Sequence, residues 1–426
     1  MTPDNININL KGIKPSATLA INELSTKLSN DGVEIYKLGF GQSPFPVPRK
    51  IVQALKNNAH QKDYLPVKGL PQLRSEISFF FNKNYKLSTT SENVMIGPGS
   101  KELIYNFQLA YAIDELLLPS PSWVSYEPQA QLNNRKTVWL ETEEKNSWKI
   151  NATDIINHCN NSPNKNRVLI LNYPSNPVGS TYTAAELEDL AKALRKYKIL
   201  VIADEIYGEI TFNGNHNTIA TYYKEGTIIS TGLSKWAGAG GWRLGIFVFP
   251  NNLKFILEAM AVIASETFTS TSAPIQYAAV EAYKIDNEIL IYLTNIRRIL
   301  KAIGLYVYNQ LLKHNVTMPE PEGGFYLFPN FNNWKTALNN KGVFTSKDFC
   351  HVLIKETGVA LLPGEDFGHP EHNLTARLSF VDFDGSLVLK LSEEHPIIEL
   401  NNEFIENHCP KIVTAIRKTG EWLKSI

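Results

Sequence analysis

The stretch between residues 168 and 207 constrains the fold more than any other. Val168-Leu169-Ile170-Leu171-Asn172 is an unbroken apolar run that ends on a polar residue. Thr183-Ala184-Ala185-Glu186 has the capping-box pattern and opens a helix that reaches about Tyr197. Ile199-Leu200-Val201-Ile202-Ala203 is a second apolar run, closed by Asp204-Glu205-Ile206-Tyr207. Strand, helix and strand in this order call for a right-handed crossover and a mainly parallel sheet. The expected class is therefore α/β, a mainly parallel central sheet flanked by helices. Ligands of such sheets sit beyond the carboxyl ends of the strands. Asn176, Asp204 and Tyr207 fall at those ends, and so does Lys235, which follows the run Thr227-Ile228-Ile229-Ser230-Thr231.

The other elements are read in chain order. A helix is expected from Ala17 to Leu28 with Ser16 as its cap, then a Gly/Pro-rich loop from Ile35 to Pro48 around Gly41. That loop is either a linker or a place where backbone N–H groups meet a ligand. Helices flank Tyr64-Leu65-Pro66-Val67-Lys68-Gly69-Leu70-Pro71, the second starting at Pro71. Val94-Met95-Ile96 and Glu115 to Pro119 read as strands. A helix from Glu102 to Tyr111 lies between them, and Trp123 and Tyr126 follow the second strand. Residues 250–315 are mostly helical, with a long amphipathic stretch from Asn287 to Lys313. Beyond it come a strand over Gly323–Pro329 and a helix from Ser346, its expected cap, to Glu356. A loop at Leu361–Glu365, a strand over Ala376–Phe380 and one helix from about Asn402 to Lys424 complete the chain. The expected division is a large domain over 50–290 and a smaller α/β domain built from 1–49 and 291–426.

Composition narrows the function. Lys plus Arg and Asp plus Glu both number 42, so the net charge is zero, which argues against a nucleic-acid partner held by bulk charge. No apolar run approaches the length of a membrane span. The three cysteines are far apart and make no metal-type pair, a set that suits a reducing compartment. Met1-Thr2-Pro3-Asp4-Asn5 lacks the basic-then-apolar pattern of a leader. The expectation is a cytoplasmic protein with no membrane, nucleic-acid or metal partner.

The chemistry converges on Ser234-Lys235-Trp236-Ala237-Gly238-Ala239-Gly240-Gly241-Trp242-Arg243, a Gly-rich loop between two apolar runs. A lysine there is either a solvated loop residue or has a partner or a covalent role. Its amine can form a Schiff base with an aldehyde, as in binding pyridoxal phosphate, and a guanidinium such as Arg243 grips phosphate bidentately. Gly97-Pro98-Gly99-Ser100-Lys101 opens a helix and offers free N–H groups, a hydroxyl and the positive end of the dipole. Such turns also simply cap helices.

Taken together, these pieces resemble the fold-type I pyridoxal-phosphate enzymes, specifically the class I/II aminotransferases of the aspartate aminotransferase superfamily. The resemblance spans nearly the whole chain. It rests on Gly41, Tyr64…Gly69, Gly99-Ser100-Lys101, Trp123-Val124-Ser125-Tyr126 and Asn176-Pro177-Val178-Gly179. Asp204-Glu205-Ile206-Tyr207, Ser234-Lys235, Gly241-Trp242-Arg243-Leu244-Gly245 and Ala376-Arg377-Leu378-Ser379-Phe380 complete it. It implies that Lys235 carries the cofactor and moves a proton, that Asp204 pairs with the pyridine nitrogen, and that Tyr207 and Asn176 bond the phenolic oxygen. It implies that Trp123 stacks on the ring, and that Gly99, Ser100, the Lys101 N–H and Arg243 hold the phosphate, with Ser234 beside them. Tyr64 would reach the phosphate of a second subunit in a homodimer. Arg377 and Gly41, with Asn176, would bind the substrate α-carboxylate.

The implied reaction moves an amino group from an α-amino acid to a 2-oxo acid by a ping-pong route. Lys101 also occupies the place where some relatives read a distal carboxylate, which points to aspartate- or glutamate-type substrates. The same fold also hosts C–S β-lyases and non-catalytic regulators. One departure stands out. The hydroxyl residue usual three positions before the lysine is Gly232 here. Ser230 or Thr231 could replace it, or the phosphate has one ligand fewer.

Overall fold

The structure, a computed structural model, describes residues 8–10, 12–13, 17–396 and 399–426. The expected cap at Ser16 lies outside the described residues. The helix it was to begin runs Ala17–Asn30.

Seven strands make the central sheet: β1 (Val94–Gly97), β2 (Glu115–Ser120), β3 (Thr137–Glu141), β4 (Arg167–Asn172), β5 (Leu200–Asp204), β6 (Thr227–Gly232) and β7 (Gly245–Val248). Their order is β1-β7-β6-β5-β4-β2-β3. Strands β2 to β6 pair in parallel, while β7 runs against both β6 and β1. Both faces of the sheet are covered, which is why β4 and β5 read as continuous apolar runs. On one face Leu169, Leu171, Val201 and Ala203 pack under Leu187, Leu190 and Leu194 of the helix Ala184–Lys196. On the other, Val168, Ile170, Ile202 and Ile228 meet Leu103 and Phe107 of the helix Ser100–Ala110 and Leu257 and Met260 of the helix Lys254–Glu266. Each such buried side chain contributes about 1.5–3 kcal/mol. The capping box forms as expected: Thr183 Oγ1 accepts from the Glu186 N–H at 3.3 Å, and Glu186 Oε2 accepts from the Thr183 N–H at 2.8 Å.

A second, antiparallel sheet holds β8 (Tyr326–Leu327), β9 (Leu362–Pro363) and β10 (Ala376–Ser379) in the order β8-β10-β9. The N-terminal segment joins it. The Ser379 N–H donates to the Leu38 carbonyl at 2.7 Å, and the Tyr36 N–H to the Gly358 carbonyl at 2.9 Å. The helix Asn287–Leu312 lies against this part and buries Ile296, Ile299, Leu300 and Ile303. No helix among the described residues is long and apolar enough to cross a membrane.

Four local expectations are corrected. The strand over 323–329 shrinks to Tyr326–Leu327, because the Gly323–Gly324 N–H groups bond to the Gly179 and Ile210 carbonyls instead. The loop at 361–365 contains β9 and a 3₁₀ turn. The helix at 346 is capped by Thr345, not Ser346: Thr345 Oγ1 accepts from the Asp348 N–H, while the Ser346 hydroxyl donates to Glu365 at 2.9 Å. The final helix is two, Asn402–His408 and Pro410–Ser425, since Pro410 has no N–H to continue the ladder.

Candidate active site

Strands β4, β5 and β6 end side by side, and their ends form the floor of a cavity of ≈ 510 Å³. Gly41, Ser100, Lys101, Trp123, Asn176, Asp204, Tyr207, Ser234, Lys235, Arg243 and Arg377 all line it. Of the expected site residues, Gly99 stands one position behind this lining, at the cap of the helix Ser100–Ala110. Tyr64 is elsewhere, 88% exposed on the surface.

Asp204 is buried at the end of β5. Tyr126 donates to its Oδ2 at 2.6 Å and Ser230 approaches its Oδ1 at 3.4 Å. Burial pushes the carboxyl up to about 6, while Tyr126, Ser230, the Ile206 N–H and Lys235 pull against that shift. No cation among the described residues lies within ion-pair distance of it. Asn172 ties this corner to the next loop. Its Nδ2 donates to the Asp204 carbonyl at 2.7 Å, and its Oδ1 accepts from the Asn176 N–H at 2.7 Å.

Lys235 is half-buried, and its Nζ donates to the Gly41 carbonyl at 2.7 Å. Gly41 thus meets the site through its carbonyl. Burial, then the Arg377 and Arg243 charges, bring the lysine down to about 8, with Asp204 opposing. A large share of this amine is neutral near pH 8. The Tyr207 hydroxyl lies 3.1 Å from that of Tyr326, and burial keeps both phenols neutral by raising them.

At the opposite end, Arg243 adopts a left-handed backbone (φ 56°) and donates to the Gly240 and Pro98 carbonyls at 3.0 and 3.3 Å. Gly99 (φ 102°) makes room for it: a Cβ there would overlap the guanidinium. Gly245 likewise lets β7 abut the backbone of Gly99 and Ser100, where a Cβ would overlap both. The start of the helix Ser100–Ala110, with its free N–H groups, is thereby held beside Arg243.

Arg377 comes from β10 in the second sheet and is buried. Its Nη1 donates to Asn176 Oδ1 at 3.1 Å and its Nη2 to the Gly39 carbonyl at 2.7 Å. Its Nε has no hydrogen-bond partner, and no carboxylate pairs with it among the described residues. A buried guanidinium without a carboxylate is costly, and an incoming anion would offset that cost.

Three contributors have contacts that the sequence does not assign. Tyr126 and Asn172 bond Asp204, and Tyr326 faces both Tyr207 and the Gly41 backbone. An aromatic after a strand and an asparagine at a strand end were the available signals, but neither names its partner. The hydroxyls weighed as substitutes at Gly232 do not serve. Ser230 turns to Asp204, and Thr231, one residue on and therefore on the other sheet face, lines a separate pocket with Glu205 and Trp236.

The lining carries four cationic side chains, Lys101, Lys235, Arg243 and Arg377, against one carboxylate, Asp204. A dianionic phosphate at Arg243 and the helix start, a protonated ring nitrogen at Asp204 and an aldehyde at Lys235 match that set. The residues present therefore fit pyridoxal phosphate.

The comparisons agree. The family model for aminotransferase class I and II matches residues 33–382. The chain is 33% identical to an asparagine–oxo-acid transaminase of Streptococcus mutans, over 86% of this chain and 92% of that protein. It is 32% identical to an aspartate aminotransferase of Bacillus subtilis, over 94% and 98%. The aspartate aminotransferase of Thermus thermophilus solved with maleate superposes with a TM-score of 0.81 at 25% identity, covering 91% and 98%. Fold, cavity chemistry and relatives together place this chain in the class I and II aminotransferase family, as a pyridoxal-phosphate-dependent transaminase.

Proposed function

We propose that this transaminase takes a dicarboxylic α-amino acid of the aspartate or glutamate type, with a 2-oxo acid as acceptor. The observation that carries the proposal is the charge count of the cavity. Phosphate accounts for Arg243 and the helix start, and the substrate α-carboxylate for Arg377. Lys101 then remains as a cation at the rim, its Nζ 5.2 Å from the centre of the Trp123 ring, with no carboxylate partner among the described residues. A distal carboxylate supplies that partner. Relatives named for aspartate and a neighbour solved with maleate, a dicarboxylate, support the reading.

Bound pyridoxal phosphate supplies an aldehyde that takes up the amino group and a ring that delocalises the electron pair left by the departing α-proton. The chain supplies the rest. Arg377, steered by Asn176, grips the α-carboxylate and fixes the α-carbon over Lys235. Lys235 Nζ would accept the α-proton and hold it for return. Asp204 would keep the ring nitrogen protonated, and Tyr207 and Asn176 would hold the phenolic oxygen. Trp123 would pack on the ring, while Gly99, Ser100, the Lys101 N–H, Ser234 and Arg243 would secure the phosphate. The same reading makes the enzyme a cytoplasmic homodimer in which Tyr64 completes the partner's phosphate site. The three cysteines, free and buried, are consistent with a reducing compartment. A division into 50–290 and 1–49 with 291–426 follows the two sheets, since β1–β7 fall in the first and β8–β10 in the second.

Amino donors assayed against 2-oxoglutarate test the substrate. Lys101→Ala is expected to lower kcat/KM for aspartate by about 10- to 100-fold, the worth of a charge-assisted contact. Alanine should change by less than about threefold. Equal losses for the two donors would refute the role of Lys101.

A further inference from the structure

We propose that Tyr126 is a positioning residue for the coenzyme ring, fixing the Asp204 carboxylate and the Trp123 indole relative to each other. This rests on the reading that Asp204 meets the ring nitrogen and Trp123 the ring face. Tyr126 is the first residue of the helix Tyr126–Leu132 and is fully buried. Its hydroxyl reaches 78 residues along the chain to Asp204 Oδ2 at 2.6 Å. Its ring meets Trp123 edge to face, centroids 5.2 Å apart at 83°, and its N–H donates to the Trp123 carbonyl at 3.1 Å. One side chain thus touches both groups that would contact the ring.

Burial and the neighbouring carboxylate keep the phenol far above its usual titration range, so it stays protonated and donates to the ionised carboxylate. A short donor on Oδ2 stops the carboxylate from turning about its terminal torsion. It leaves Oδ1, which the Ser230 hydroxyl approaches only at 3.4 Å, as the oxygen to meet an incoming N–H. The bond also favours the ionised carboxylate. Phenylalanine would fill the same space in a core whose only need was packing. The hydroxyl is what links the cofactor's nitrogen site to its stacking wall.

The other titratable groups facing Asp204 are Lys235, from the loop after β6, and Tyr207, with Arg377 and Arg243 acting on Lys235. They are common to wild type and a Tyr126→Phe variant, as is the cofactor's own phosphate titration. The difference between the two proteins therefore isolates the hydroxyl.

The experiment titrates purified apoprotein with pyridoxal phosphate from pH 5.5 to 8.5, reading the dissociation constant from tryptophan fluorescence. Tyr126→Phe is expected to weaken binding about tenfold near pH 7. It should also move the acid limb of the affinity profile upward by about one pH unit, because losing the donor makes Asp204 easier to protonate. Site-specific 3-fluorotyrosine at 126 keeps the side chain, strengthens the donor and should move the limb down. It decides the matter if the Phe variant gives no cooperative thermal transition. An unchanged constant and an unmoved limb in these proteins would overturn the proposal. Asp204→Asn separates the two levels. If it leaves affinity intact, the reading of Asp204 fails and takes the proposal with it. If it weakens binding while Tyr126→Phe does not, the proposal alone fails.

Discussion

Asp204 and Lys235 show how single residues are held away from their ordinary charge states. Burial lifts Asp204 to about 6 from a usual 3.8, and it brings Lys235 down to about 8 from 10.5. For Asp204 the sign of the stability effect follows directly. Between pH 3.8 and 6 the folded apoprotein keeps a proton that the unfolded chain has released, so stability falls as pH rises through that window. The shift corresponds to about 3 kcal/mol at ~1.4 kcal/mol per unit. Asp204→Asn should remove that component. Urea unfolding of both apoproteins at pH 3.5 and 6.5 checks it. Wild type should lose about 3 kcal/mol more than the variant over this range, and parallel behaviour would show that Asp204 is not strained. On the proposed reading, a protonated ring nitrogen beside the carboxylate would offset the same penalty, so an unfavourable residue would serve cofactor affinity.

At the scale of elements, the antiparallel join of β6 and β7 explains why Gly232 breaks the usual pattern. Gly232 pairs with Gly245, and a Cβ on Gly232 would stand 2.5 Å from the Leu244 carbonyl oxygen. Backbone, not a flexible side chain, fills the place a serine would need. Gly232→Ser is therefore expected to destabilise the protein by about 1–3 kcal/mol, as overpacking does. Circular-dichroism melts should show a lower Tm and no gain in cofactor affinity; an unchanged Tm with tighter binding would reverse this account. The sequence showed that Gly232 departs from the family pattern, but the reason lies in a strand pairing that only the structure displays. The same limit recurs elsewhere. The central strands and the residues at their ends were legible because apolar runs and crossover rules are local and chiral. The Thr345 cap was not, since Thr345 and Ser346 are both good caps and a contact from Glu365 decides between them. Strand β3, half-buried at the sheet edge, gave no continuous apolar signal. Tyr126 reads as an aromatic just after a strand, and its partner is 78 residues away.

For the whole molecule, the open side of the cavity and the position of Tyr64 bear on assembly. Arg243 remains exposed in the cavity lining, and Tyr64 is 88% exposed and absent from the lining of its own chain's cavity. Two such surfaces are explained together if each chain completes the other's site around a twofold axis, where every contact occurs twice. Complementation tests this without a crystal. Tyr64→Ala and Lys235→Ala chains, each impaired alone, are unfolded together and refolded at equal concentration. Half of the dimers are then hybrids. If Tyr64 acts across the interface, one site in each hybrid combines an intact Lys235 with the partner's intact Tyr64. About a quarter of all sites should then regain wild-type cofactor affinity and turnover. If Tyr64 acts within its own chain, no hybrid site is intact, and activity stays at the mean of the two parents. A monomer by sedimentation at assay concentration would exclude the shared site as well. The two results separate a residue that is merely exposed from one whose exposure is the means by which two chains build one active site.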